Sequence, residues 1–217
     1  MIKLFTYVAT ILSLLLSQNA AAACHDQAQN WAHIQWSESA NLVSPDGLWQ
    51  VEVHPNLTSD ENNTPVLLRR CSDGRSSNLF ILDRSADIYW EPDGKHLLVV
   101  NQPASDVYKL MLFSVKSLFA THRSAQSSHL NSEVQATLHH KLGDGRHIEF
   151  YLPSFVSWKD ESLVLSVGGA TSSGGDGPMT PYCYGVLFNT TIERIVTTMS
   201  TDELKSKFNN ATCKISP

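Results

Sequence analysis

One stretch of the chain has the residue types of a nucleophilic catalyst. Ala170-Thr171-Ser172-Ser173-Gly174 has the spacing of a nucleophile elbow, with alanine in place of the first glycine. That chemistry needs a strand, a sharp turn and then a helix to present the serine, whereas glycines and prolines follow here. We therefore expect no serine nucleophile, and Ser172 serves only the alternative hypothesis of a hydrolase.

Histidines and carboxylates could supply acid–base or metal chemistry. Among nine histidines, only His139, His140 and His147 lie close in sequence. In a strand, His139 and His140 would point to opposite faces, so His140 and His147 would form at most a two-ligand site across a hairpin. The common zinc, calcium and phosphate-binding motifs are absent from the sequence. The sequence thus predicts no catalytic residue, no metal site and no cofactor.

The stretch from Gly168 to Pro181 holds five of the chain's 11 glycines. It lies between two strand-like runs, so we expect a long projecting loop. Loops longer than about 12 residues in compact domains tend to be functional or disordered. A mobile connection between strands is the alternative interpretation. The functional hypothesis assigns partner binding to six residues of this loop: Gly169, Thr171, Ser172, Ser173, Gly174 and Asp176.

The first 23 residues predict export. Lys3, an apolar run over residues 4–16 and four alanines before Cys24 are typical of a cleaved secretory signal. The apolar run is short for a membrane span, which needs about 20 residues, and the rest of the sequence offers no transmembrane candidate. Cleavage after Ala23 would leave residues 24–217 as a single domain. The compact signal with its alanine exit favours the bacterial periplasm.

Four cysteines follow the signal: Cys24, Cys71, Cys183 and Cys213. In an oxidising compartment an even number predicts two disulfides, with three connectivities open. Closure of the shorter loops favours Cys24–Cys71 and Cys183–Cys213. A lipid anchor on Cys24 is the alternative, since bacterial lipoproteins are cleaved just before a cysteine. Ala21 stands where their motif usually has leucine.

A turn motif repeats along the chain. Ser44-Pro45-Asp46-Gly47 and Trp90-Glu91-Pro92-Asp93-Gly94 each lie between apolar, strand-like runs, and their prolines are 47 positions apart. Proline presets the first turn residue, aspartate can accept from the backbone, and glycine adopts positive φ. A weaker copy over residues 155–167 lacks both Pro and Gly. The motif predicts a series of β-hairpins.

These turns resemble the repeats of TolB-type β-propellers, whose units often read W-S-P-D-G before a strand. The resemblance implies an all-β, propeller-like stack of about four blades. The hairpin expected to pair residues 134–138 with residues 148–152 would contribute to a fourth blade. A β-sandwich with the same hairpins is the alternative. Short helices are expected after a capping box at Ser200–Glu203, after Val115 and around Trp31.

Composition narrows the function. The chain has 16 Lys and Arg against 21 Asp and Glu, with no basic run longer than two residues, which argues against nucleic-acid binding. Repeat β scaffolds without a catalytic constellation mainly supply surfaces. We therefore expect an exported, non-enzymatic module that binds another exported protein. Its sharper form is an immunity protein that inhibits a toxin enzyme with the glycine-rich loop. A periplasmic hydrolase and a lipid-anchored envelope scaffold are the alternatives.

Overall fold

The structure is a computed structural model of the chain. It describes residues 24, 27–55, 64–120, 128–174, 177–209 and 211–215. The predicted signal peptide lies outside the described residues.

The described residues form mainly strands, as the sequence predicts. The strands are β1 (Trp31–Gln35), β2 (Ala40–Val43), β3 (Trp49–Val53), β4 (Thr64–Arg70), β5 (Ser76–Leu82), β6 (Ser85–Trp90), β7 (His96–Gln102), β8 (Lys109–Ser114), β9 (His147–Lys159), β10 (Ser162–Ser172), β11 (Thr180–Asn189) and β12 (Arg194–Met199). The helices are α1 (Val115–Ala120), α2 (Leu130–Leu142) and α3 (Thr201–Lys207). None of the helices within the described ranges is long and apolar enough to span a bilayer.

The strands form three antiparallel sheets of four strands each. Sheet 1 has the order β2-β3-β4-β5, sheet 2 the order β1-β6-β7-β8, and sheet 3 the order β12-β11-β10-β9. Sheets 1 and 3 are meanders of consecutive strands. In sheet 2 the chain continues from β8 into α1, and the N-terminal strand β1 supplies the fourth position by pairing with β6. The described residues therefore contain three sheets, against about four expected.

Sheet 2 lies between the other two because β7 is apolar on both faces. Leu97 and Val99 belong to the core cluster shared with sheet 1. Leu98 and Val100 belong to the cluster shared with sheet 3 and α2. Successive strand residues point to opposite faces, so a continuous apolar run is what a middle layer requires.

The two Pro-Asp-Gly turns fold in the same way. Gly47 and Gly94 have φ of 69° and 72°, and each donates its N–H to the carbonyl three residues earlier at 2.9 Å. In both turns the aspartate accepts the N–H two residues later, at 3.1 Å and 3.0 Å. The third turn lacks glycine, and Asp160 takes the positive φ of 51° instead. The hairpin prediction is confirmed at all three turns.

Two elements differ from the expectation. Residues 134–138 lie in α2 and not in a strand, because Leu130, Val134 and Leu138 recur every four residues and form its buried face. Trp31 lies in β1 and not in a helix. The helices after Val115 and after the capping box at Ser200 are present as predicted.

Both disulfides have the connectivity that short loop closure favours. Cys24 is bonded to Cys71 at the end of sheet 1 that carries the turn before β3, and Cys183 is bonded to Cys213 on sheet 3. A sulfur atom in a disulfide cannot also carry a thioether-linked lipid. The Cys24–Cys71 disulfide and a lipid anchor on Cys24 therefore exclude each other.

Candidate functional site

A cleft of about 480 Å³ opens between sheets 2 and 3, close to the turns that precede β7 and β10. We call it the aromatic cleft. Its walls are formed mainly by Trp31, Tyr89, Trp90, Pro92, Phe155 and Trp158. Because most of these side chains are rings, the cleft presents flat apolar surface.

The register of two strand pairs places these rings. Trp31 and Tyr89 are directly opposite one another in β1 and β6, with their ring centroids 6.3 Å apart and stacked. Tyr89 stacks on Phe155 of β9 at 4.3 Å, which carries the row from sheet 2 to sheet 3. Phe155 contacts Trp158 at 6.0 Å. Four rings therefore form a continuous row across the cleft.

The outer end of this row is open to solvent. Trp31 is 58% exposed, because sheet 3 packs over β7 and β8 and leaves the face of β1 uncovered. At the inner wall, Nε1 of Trp90 and of Trp158 is buried and has no acceptor among the described residues. Burial, aided by the negative charge of Asp87, raises the pKa of Tyr89 to about 12. Tyr89 is therefore neutral at physiological pH.

The chemistry of the cleft walls is suited to binding. Among its six main wall residues only Tyr89 titrates, and its raised pKa keeps the phenol protonated, so that it can donate a hydrogen bond to a ligand. Stacked and edge-on aromatic contacts can hold an apolar or planar group, each contact contributing about 1 kcal/mol beyond area burial. From the sequence, core packing is the default role of the tryptophans, with one or two exposed as binding anchors that the sequence does not identify. The pairing of β1 with β6 and the exposure of Trp31 identify it as an exposed ring.

At the opposite end of sheet 3, polar side chains cluster around Ser172. Ser172 is opposite His147, and a bulge in β9 makes Glu149 an extra residue between the partners of Ala170 and Thr171. The Ser172 hydroxyl donates to the Glu149 carboxylate, and Ser172 is 2% exposed. In the described part of the chain no histidine hydrogen-bonds Ser172, and the acceptor of its hydroxyl proton is the Glu149 carboxylate. Sequence reasoning missed Glu149 because nothing in the sequence marks the bulge.

The predicted partner-binding loop is shorter than expected. Thr171 still pairs with Thr180, so Gly169, Thr171 and Ser172 lie within β10. Of the predicted loop residues, Ser173 and Gly174 lie in the hairpin tip, and Asp176 lies outside the described residues. We call residues 173–174 and 177–179, the described residues between β10 and β11, the hairpin tip. The prediction of a loop from residue 168 to residue 181 was wrong in its extent.

Close backbone contacts explain the first two glycines of this stretch. A Cβ on Gly168 would overlap the carbonyl oxygen of Lys214, where the C-terminal segment crosses β10. A Cβ on Gly169 would overlap the carbonyl oxygen of Phe150 on the neighbouring strand. Gly168 and Gly169 are therefore required for close packing within a strand. In the sequence, the high frequency of glycine in this stretch resembled that of a loop.

The histidines are arranged differently from the expectation. His139 and His140 lie on α2 and not on a strand. His139 and His147, with Glu149, line a second cleft of about 390 Å³. No group of three or more His, Cys, Asp or Glu side chains in the described ranges could hold a metal ion.

Comparison of the chain with protein-family models, with curated proteins and with solved structures finds no match. The function is therefore inferred from the geometry of the two ends of sheet 3.

Proposed function

We propose that this is an exported, non-enzymatic module that binds another exported protein through the aromatic cleft. The observation that carries the proposal is the row of four rings that crosses the cleft and ends at Trp31, which is 58% exposed. Binding of a partner would cover this ring and remove its apolar surface from water.

The composition of the cleft supports a protein partner. Tryptophan and tyrosine are enriched among the residues that dominate binding energy at protein interfaces. The rings of the row also contact one another, so little side-chain freedom remains to be lost on binding. The two disulfides are what an oxidising compartment permits, and they support the proposal of a periplasmic location.

A capture experiment with two tryptophan variants tests the proposal. The mature protein, Trp31→Ala and Trp36→Ala are immobilised and exposed to the exported protein fraction of the source organism. Trp36 is the matched control, because it is 37% exposed but lies outside the cleft. We expect one stoichiometric protein on the wild type and on Trp36→Ala, and its loss on Trp31→Ala. Equal capture by all three would contradict the proposal.

A second candidate is the inhibition of an exported toxin enzyme by the hairpin tip. The specific observation is Met179, which is 59% exposed beside the exposed Pro178 at the end of the β10–β11 hairpin. An apolar side chain on such a tip can enter the substrate cleft of an enzyme. Met179→Ser would then abolish inhibition of the captured enzyme while leaving the free energy of unfolding unchanged.

A further inference from the structure

Three of the six sheet edges are covered by other parts of the chain. Beside β2, Ala28 forms a parallel bridge with Val43. Beside β8, the carbonyl of Leu112 accepts from the N–H of Ser128. Beside β12, the N–H of Ile195 donates to the Glu133 carboxylate. Covering an edge in this way prevents an unwanted strand from adding to it.

Two further edges carry irregularities that disrupt pairing. In β9, Pro153 has no N–H to donate. In β5, a bulge interrupts the register opposite Val66 and Leu67. The remaining edge belongs to β1, which has no proline and no bulge. Among the described residues its cover is limited to its C-terminal end, where the N–H of Glu38 donates to the Gln35 carbonyl. It is the edge that borders the aromatic cleft.

The pairing of β1 with β6 shows which backbone groups reach this edge. The backbone N–H of Trp90 donates to the carbonyl of Asn30, and the backbone N–H of Trp36 donates to the carbonyl of Arg84. Antiparallel pairs alternate between hydrogen-bonded and non-hydrogen-bonded residues. The even-numbered residues of β1 therefore bond to β6. The N–H and C=O groups of Trp31 and His33 and the N–H of Gln35 point to the outer edge, whereas the Gln35 carbonyl accepts from the N–H of Glu38.

We infer that an extended segment of the partner binds as an added strand on the outer edge of β1 and inserts one apolar side chain into the aromatic cleft. This inference rests on the proposed function. A regular row of outward N–H and C=O groups is matched by another polypeptide backbone, as in other cases of strand addition. The side chains of Trp31, His33 and Gln35 share one face, so a residue opposite Trp31 would lie beside the ring row.

Charge indicates the second feature of the segment. The Asp87 carboxylate lies on the same face, is 28% exposed, and its Oδ1 is 2.7 Å from Nδ1 of His33. The chain carries a net charge of -5. The residue two positions from the apolar anchor lies opposite His33, because same-face residues of a strand are two positions apart. A long basic side chain there extends past His33 toward the Asp87 carboxylate on β6. The segment therefore carries an apolar residue, any residue and then a basic residue, in either chain direction.

Linear twelve-residue peptides selected from a display library on the mature protein test this inference. The critical variant is His33→Pro, which removes one outward N–H and keeps the hydrogen bonds to β6. His33→Ala is the matched control, because it loses the same imidazole and keeps the N–H. We expect peptides with the predicted spacing, and at least tenfold weaker binding to His33→Pro than to His33→Ala. With peptide bound, the amides of Trp31, His33 and Gln35 should exchange at least tenfold more slowly.

The outcomes separate strand addition from the proposed function. Equal binding by His33→Pro and His33→Ala overturns strand addition, while lost binding by Trp31→Ala still supports the cleft. Unchanged binding by Trp31→Ala overturns both. A library that yields no peptide with cleft-dependent binding also contradicts the inference. Gln35→Pro and Gln35→Ala provide a second pair if His33→Pro does not fold, and amide exchange on the wild-type protein needs no variant.

Discussion

The two ends of sheet 3 differ in the hydrogen bonds and the solvent exposure of their main side chains. The Ser172 hydroxyl donates to the Glu149 carboxylate, and Ser172 is 2% exposed. In the aromatic cleft, Trp31 is 58% exposed, and the indole N–H groups of Trp90 and Trp158 have no acceptor in the described residues. Ser172 is thus held by an internal contact beside a cleft lined by His147 and Glu149, whereas the aromatic end exposes a large apolar ring.

The comparison shows that a reactive residue type does not make a functional site unless its side chain is also free to contact a ligand. A serine, a glutamate and a histidine in one cluster suggest chemistry, but Ser172 already donates to Glu149. Tryptophans in strands are typical of a buried core. On an edge strand, however, a neighbouring strand lies on one side of the ring only, so part of the ring stays exposed. Function is therefore better inferred from unpaired surface than from the frequency of reactive residues.

The largest expected effect on stability comes from opening the disulfide next to the Ser172 end. Replacing Cys183 and Cys213 together by alanine removes a cross-link between residues 30 positions apart. We expect the free energy of unfolding to fall by about 3 kcal/mol, because the unfolded chain regains that loop's entropy. Urea denaturation measures the change. If the two ends of sheet 3 act independently, the affinity of the aromatic cleft for its partner stays within about twofold at temperatures where the variant is folded. A large loss of affinity would show that the two ends are coupled.

A smaller effect is expected from Ser172→Ala. The substitution removes the donor to Glu149, and the free energy of unfolding should fall by about 1 kcal/mol, the value of a typical hydrogen bond. Ser173→Ala is the matched control, because Ser173 is exposed in the hairpin tip, and we expect a change below about 0.5 kcal/mol. A Ser172→Ala protein as stable as the wild type would indicate that this end is not held by its polar contacts.

The smallest effect is a change in alkaline stability at the aromatic cleft. Burial raises the pKa of Tyr89 from 10.0 to about 12. The neutral form is thus favoured in the folded state, so this contribution is fully present below pH 10 and is lost as the pH rises from 10 to about 12. Tyr89→Phe cannot ionise, and its free energy of unfolding should fall less steeply over that interval. Identical slopes for the variant and the wild type would argue against burial of Tyr89.

The local turns and covalent links were predictable from the sequence. Gly47 and Gly94 occupy the positive-φ positions that a Pro-Asp-Gly turn requires, because turn geometry depends on adjacent residues alone. The Cys24–Cys71 and Cys183–Cys213 pairs follow the shorter loop closures. The capping box at Ser200 is equally local.

Features that depend on distant contacts were not predictable. The alternation at Val134, Ala136 and Leu138 fits a strand, but residues 134 and 138 also fit a helix when Leu130 is included. Gly168 indicated a loop, and only the crossing of the C-terminal segment shows why it lies in a strand. The aromatic cleft arises from strands that are more than 50 positions apart in the chain, so no local pattern marks it.

The most direct measurement compares the two ends of sheet 3 on one captured partner. Its Kd is measured by calorimetric titration for the wild type, for Trp31→Ala in the aromatic cleft and for Met179→Ala at the hairpin tip. We predict that Trp31→Ala weakens binding about a hundredfold, or about 3 kcal/mol, as expected for a central interface tryptophan. Met179→Ala should change Kd by less than about threefold. A large loss for Met179→Ala with unchanged binding by Trp31→Ala would contradict the aromatic cleft as the binding site and place the interface at the hairpin tip.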